Sequence, residues 1–96
     1  MENEVEKVRT IAMDIVKQMV SVPENVNIAT REDVDDEGND VTILTITADP
    51  KDVGVLIGRK GENATAIRKV VGVIAFQLVN KRVYVQIDAP RKSYAV

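Results

Sequence analysis

The sequence predicts an α+β domain, a three-stranded mixed sheet packed against three helices in the chain order α-β-β-α-α-β. Three observations carry that prediction. Apolar residues recur at intervals of three and four over 4–20 and again over 62–79, the spacing of helices with one buried side. The stretches 25–32, 41–48 and 82–88 alternate apolar and polar residues, as half-buried strands do. Between the second and third strands the chain makes two helices in immediate succession, parted by a Gly-x-x-Gly break at 58–61. A crossover of that length sets the strands it joins parallel.

Each element has its own signals. In the first helix Val5, Val8, Ala12, Ile15 and Met19 build the apolar stripe, and Ile11 and Val16 widen it. Glu4 and Glu6 lie at its positive end and Lys17 at its negative end, which favours the macrodipole; Pro23 marks the stop. Val26 and Ile28 share a face of the first strand. The polar run Asp33 to Asp40 reads as a hairpin loop leading into the second strand, where Leu44, Ile46 and Ala48 face one way. That run resembles a calcium loop only superficially: the twelfth position is Leu44, where such a loop needs Glu. Asp49 is a preferred N-cap and Pro50 suits the first helical position. Val53, Leu56 and Ile57 form a short stripe before Gly58 ends the helix. Gly61 lets the chain restart at once, and Ala64, Ile67, Val71, Ile74 and Leu78 define the long helix. In the last strand Val83, Val85 and Ile87 point inward. Residues 89–96 show no pattern and are expected to be a flexible tail on a single domain of residues 1–88.

Composition narrows the function. The chain of 96 residues, 45% apolar, suits one small folded domain. It has no Cys and no His, so disulfides, thiolate nucleophiles, zinc knuckles and imidazole catalysis all fall away. No P-loop, Ser–His arrangement or paired carboxylates appear, so neither an enzyme nor a cofactor or metal site is expected. The acidic start Met1-Glu2-Asn3-Glu4 is unlike a signal peptide, and no apolar run approaches the roughly 18 residues of a membrane span. Net charge is −2, but unevenly spread: residues 1–50 hold four Lys/Arg against twelve Asp/Glu (−8), residues 51–96 nine against three (+6). A polarised surface follows, with a local potential that matters more than the total.

The informative stretch is Ile57-Gly58-Arg59-Lys60-Gly61. Glycine at both ends permits the tight turn and a close ligand approach, while Arg59 and Lys60 project cations from the tip. The first amides of the following helix have no helical partner and favour an anion at the same corner. A G-x-x-G loop that clamps about four nucleotides is the signature of KH domains.

The run Gly54-Val55-Leu56-Ile57-Gly58-Arg59-Lys60-Gly61, followed by Ala64, Ala66-Ile67-Arg68 and Val70-Val71, is much more specific than the tetrapeptide. With the α-β-β-α-α-β order it resembles a type II KH domain, and residues 4–88 are similar to the small bacterial stand-alone KH proteins of the KhpA family. The resemblance implies single-stranded RNA binding, a cytoplasmic location, and pairing with itself or with a larger KH protein (KhpB, also called Jag). It also implies an RNA chaperone role that affects cell-wall homeostasis and cell shape. Gly58, Arg59, Lys60 and Gly61 are then the backbone clamp. Arg68 is a phosphate contact, Gly54 admits RNA close to the helix or else allows helix–helix packing, and Leu56 and Ile57 (with Val53) are groove residues for bases or else core. Lys81 and Arg82 flank the groove's far end. Phe76 is read as core or dimer contact, and Val70 and Val73 as further dimer candidates. The sequence departs from the family pattern at Glu62, where a cation would serve RNA better, in the length of the acidic loop 33–40, and in the tail.

Overall fold

The computed structural model describes residues 4–80 and 82–88. The first helix, α1 (Glu4–Lys17), buries Val8, Ala12 and Val16, one per turn. It stops at Lys17 rather than near residue 20. The N–H groups of Gln18 and Met19 reach back only three residues, to the carbonyls of Ile15 and Val16 at 3.2 and 2.9 Å, so the last turn tightens and unwinds. A 3₁₀ turn at Pro23–Asn25 then delays the first strand.

Strand β1 (Asn27–Val34) pairs antiparallel with β2 (Asp40–Thr47), Ile28 opposite Ile46 and Val34 opposite Asp40. Both ends of the expected loop 33–40 are therefore ladder, Asp33, Val34 and Asp40, and the chain reverses within 35–39. Asp35 makes so short a turn possible. Its carboxylate accepts the N–H groups of Glu37 and Asn39, each at 2.9 Å, and its carbonyl accepts from Gly38 (φ 85°) at 3.0 Å.

After β2, Asp49 caps a 3₁₀ turn at Pro50–Asp52 by accepting the Lys51 N–H at 3.1 Å. The short helix α2 (Val53–Ile57), a second 3₁₀ turn at Arg59–Gly61, the long helix α3 (Glu62–Val79) and strand β3 (Arg82–Ile87) follow. β3 lies parallel to β2 with Val85 opposite Leu44, so the sheet order is β1-β2-β3 and the sheet is mixed, as the sequence predicts. Helix α3 ends on Asn80, left-handed at φ 57°, whose N–H returns to the Phe76 carbonyl at 3.1 Å.

The core joins Val8, Ala12 and Val16 of α1, Leu56 of α2 and Ile67, Val71 and Ala75 of α3 to Ile28, Leu44, Ile46 and Val85 of the sheet. Ala75, not the expected Ile74, is the wholly buried residue of its turn; Ile74 is only half-buried. The spacing Ile67-Val71-Ala75 is strictly four, and the small Ala75 brings the helix close to the sheet. On the opposite sheet face Val41 and Ile43 are also buried, because Arg31, Tyr84 and Arg82 flank them in register and their stems cover the apolar centre.

One buried charge organises the α1–β1 connection. Asp52 is 3% exposed. Its carboxylate accepts the Ser21 N–H at 3.0 Å and hydroxyl at 2.7 Å on one oxygen, and the Val22 N–H at 3.1 Å on the other. These bonds, the Ser21 backbone foremost, hold its pKa below the usual carboxylate value.

Candidate nucleic-acid interface

The loop between α2 and α3 is built by three left-handed residues. Gly58 has φ 77°, ψ 171°, Lys60 φ 56° and Gly61 φ 78°. At Gly58 the requirement for glycine is double. The backbone conformation excludes a side chain, and a Cβ there would stand 2.8 Å from the Asn63 backbone nitrogen. Lys60 adopts the left-handed form without being glycine, at a cost of about 1 kcal/mol or more, and this turns its side chain out of the helical path. Arg59 and Lys60 are both exposed at the tip.

Asn63, which sequence reasoning overlooked, closes the loop. Its side-chain amide donates to the Val55 carbonyl at 2.7 Å. In an uninterrupted helix that carbonyl would take the N–H of residue 59; since the chain leaves the helix at Gly58, the Asn63 side chain replaces it. The signal was an Asn two residues into a helix that follows a glycine turn, a residue type given to local side chain–backbone bonding. The Gly61 N-cap supplies no side-chain acceptor, and the Glu62 N–H bonds the Arg59 carbonyl, so what α3 presents beside the two cations is the positive end of its dipole. Glu62 sits in that same first turn, exposed.

The other expected contacts divide. Gly54 is exposed on α2 and a Cβ there would meet nothing within 4 Å, so it is not a helix-packing glycine. Ile57 is half-buried at the end of the same helix. Leu56 is corrected: it is fully buried in the core, as Val53 nearly is, and offers a ligand no surface. The exposed side chain beside them is Val55, 47% accessible. Arg68 is exposed on α3 and spends its Nε–H on the Val85 carbonyl of edge strand β3 at 3.1 Å, so its guanidinium lies across the α3–β3 groove. Arg82 approaches the Asp35 carboxylate at 3.7 Å. The neighbouring Tyr84 hydroxyl and the nearby acids raise its pKa further. Lys81 and the tail 89–96 lie outside the described residues.

The family model described as KhpA/KhpB, KH domain, matches residues 9–87. The chain belongs to that family. Among curated proteins it is 35% identical over 85 residues to the RNA-binding protein KhpA of Borreliella burgdorferi, covering 88% of this chain and 92% of the relative. It is 37% identical over 73 residues to the protein of the same name from Clostridium perfringens, covering 76% and 89%. Two solved structures share the fold. One is Aquifex aeolicus Era, with a TM-score of 0.58 at 22% identity over 85% of this chain. The other is Era in complex with MgGDPNP and nucleotides 1506–1542 of 16S ribosomal RNA, with a TM-score of 0.63 at 21% identity over 83% of this chain. The chain spans only 31% and 28% of those two Era chains. The type II KH arrangement of α1, the mixed sheet and the α2–α3 pair is thus a family property.

Proposed function

We propose that this chain binds single-stranded RNA with low sequence specificity, clamping the sugar–phosphate backbone at Gly58-Arg59-Lys60-Gly61. The observation that carries the reading is the convergence of two exposed cations, two left-handed glycines and the N-terminus of α3 on one corner. Such a corner meets a phosphate diester with side-chain charge and with the positive end of a helix at once. Gly54 leaves room for the strand to pass close to α2, Ile57 and Val55 offer an aliphatic surface for bases, and Arg68 supplies a third cation along the groove. The family is one of binding domains rather than enzymes, and its named RNA-binding relatives support an RNA partner. A role as RNA chaperone or post-transcriptional regulator bearing on cell shape, in the cytoplasm, extends the same reading. No helix among the described residues is long and apolar enough to cross a membrane.

A second reading, a dimerisation module, is favoured by one feature. Val70 and Val73 on α3 are 47% and 65% exposed. We take this surface as the contact with a second copy or with a larger KH partner of the KhpB type, and as complementary to RNA binding, since it is separate from the loop.

The test reverses the charge of the tip. Arg59→Asp with Lys60→Asp should abolish gel shifts with cellular RNA while circular dichroism stays unchanged, because both side chains are exposed. For the unmodified chain, neutralising two or three phosphates should make log K fall with log salt at a slope of about −1.5 to −2. A folded double variant that binds RNA undiminished, or a slope near zero, refutes the clamp.

A further inference from the structure

Arg68, Gly72, Phe76 and Asn80 follow one another at intervals of four and so lie along one side of α3. The row starts beside β3, where Arg68 bonds the Val85 carbonyl, and turns toward solvent by Phe76 and Asn80. A Cβ at Gly72 would meet nothing within 4 Å, so the middle of the path is clear. At its far end the side runs into a groove of about 510 Å³ lined by Asn39, Asp40, Phe76, Asn80 and Arg82. Phe76, the chain's single Phe, is 63% exposed and leaves a ring face available.

We propose that this groove is a nucleobase subsite, with Phe76 as the stacking platform, for a residue of the RNA beyond those held at the clamp. The inference rests on the RNA-binding reading above and adds to it a base contact at the opposite end of α3. Its chemistry suits a base and not a phosphate. Asp40 lines it, Asp35 already pairs Arg82 at 3.7 Å, and the carboxylate end of the hairpin repels a diester. A ring stacked on Phe76 keeps its edge toward the Asn39 and Asn80 amides and the Asp40 carboxylate. A carboxylate accepts from the exocyclic amine of adenine or cytosine and faces only carbonyl oxygens and a single imino N–H on uracil, so the subsite favours amino-bearing bases. The 15 residues from Gly61 to Phe76 rise about 22 Å along α3, so a strand that reaches both places must run the length of this helix.

Fluorescence anisotropy with tetraadenylate, octaadenylate and octauridylate on the full chain tests it. The octaadenylate should bind more tightly than the tetramer. Phe76→Ala should weaken the octamer by about fivefold or more and leave the tetramer, the melting temperature and the mass by light scattering unchanged. Phe76→Trp should restore the octamer, with indole quenching on its addition and none on addition of the tetramer. Equal octamer affinity in Phe76→Ala, an equal loss for both lengths, or a halved mass would overturn the subsite while leaving the clamp in place. Octauridylate binding as tightly as octaadenylate would overturn the preference for amino-bearing bases. An unmodified chain that binds none of the three would remove clamp and subsite together.

Discussion

At the residue scale, the glycines of the loop are not equivalent, and the differences decide what substitutions do. Gly58 is closed to any side chain by its conformation and by Asn63, whereas Gly54 is helical, exposed and unobstructed. Gly54→Ala should therefore raise stability by up to about 1 kcal/mol while lowering RNA affinity, because the added methyl stands where the strand approaches α2. Thermal melts and anisotropy on one preparation read both signs. A variant more stable and equally avid would show that nothing comes near Gly54. The two loop glycines and the two cations were legible in the sequence, since glycine at both ends of a two-residue tip leaves few conformations. The left-handed Lys60 and the Asn63 bond to Val55 were not legible, because both depend on where the helix actually ends. Leu56 could be groove or core from the sequence alone, and the structure puts it in the core. In so short a helix, periodicity marks an apolar side without saying whether it meets the core or the groove.

At the element scale, the order and type of every helix and strand followed from periodicity, while the ends were set by side chains that periodicity does not weigh. Asp35 shortened the hairpin turn, Asn80 ended α3, and Asp52 fixed the link between α1 and β1 from a position 30 residues or more away along the chain. The last of these has a pH signature. The Asp52 pKa is lowered in the folded state, so the folded protein binds fewer protons there than the unfolded one. Its contribution is whole above about pH 4, the ordinary carboxylate range, and fades as acid protonates the folded carboxylate. Asp52→Asn should lower the melting temperature at pH 7, and the gap from the unmodified chain should narrow as pH falls below about 4. Melts across pH 2.5 to 7 decide it; a gap that stays constant would mean that the amide's shape, not the charge, matters.

At the scale of the whole molecule, the charge asymmetry read from the sequence takes on a geometry. The cationic loop opens α3, and the acidic hairpin stands beside its last turn, where Asn39 and Asp40 share a groove with Phe76 and Asn80. The valines at 70 and 73 lie between these ends. Val73→Glu should leave the fold intact, since the residue is 65% exposed, and should convert a dimer to a monomer in light scattering. It should also bring the affinity for long RNA down toward that for one groove, since avidity from a second site is lost. A mass that the substitution does not change would remove these valines from any interface. The separation of the two charged ends also affects the encounter itself. With Arg59 and Lys60 at one end of α3 and the hairpin acids beside the other, this helix would act as a small compass needle in the field of a polyanion. It turns under torque before it touches, the hairpin trailing and the glycine tip leading, so collisions begin already aligned rather than by rotational search.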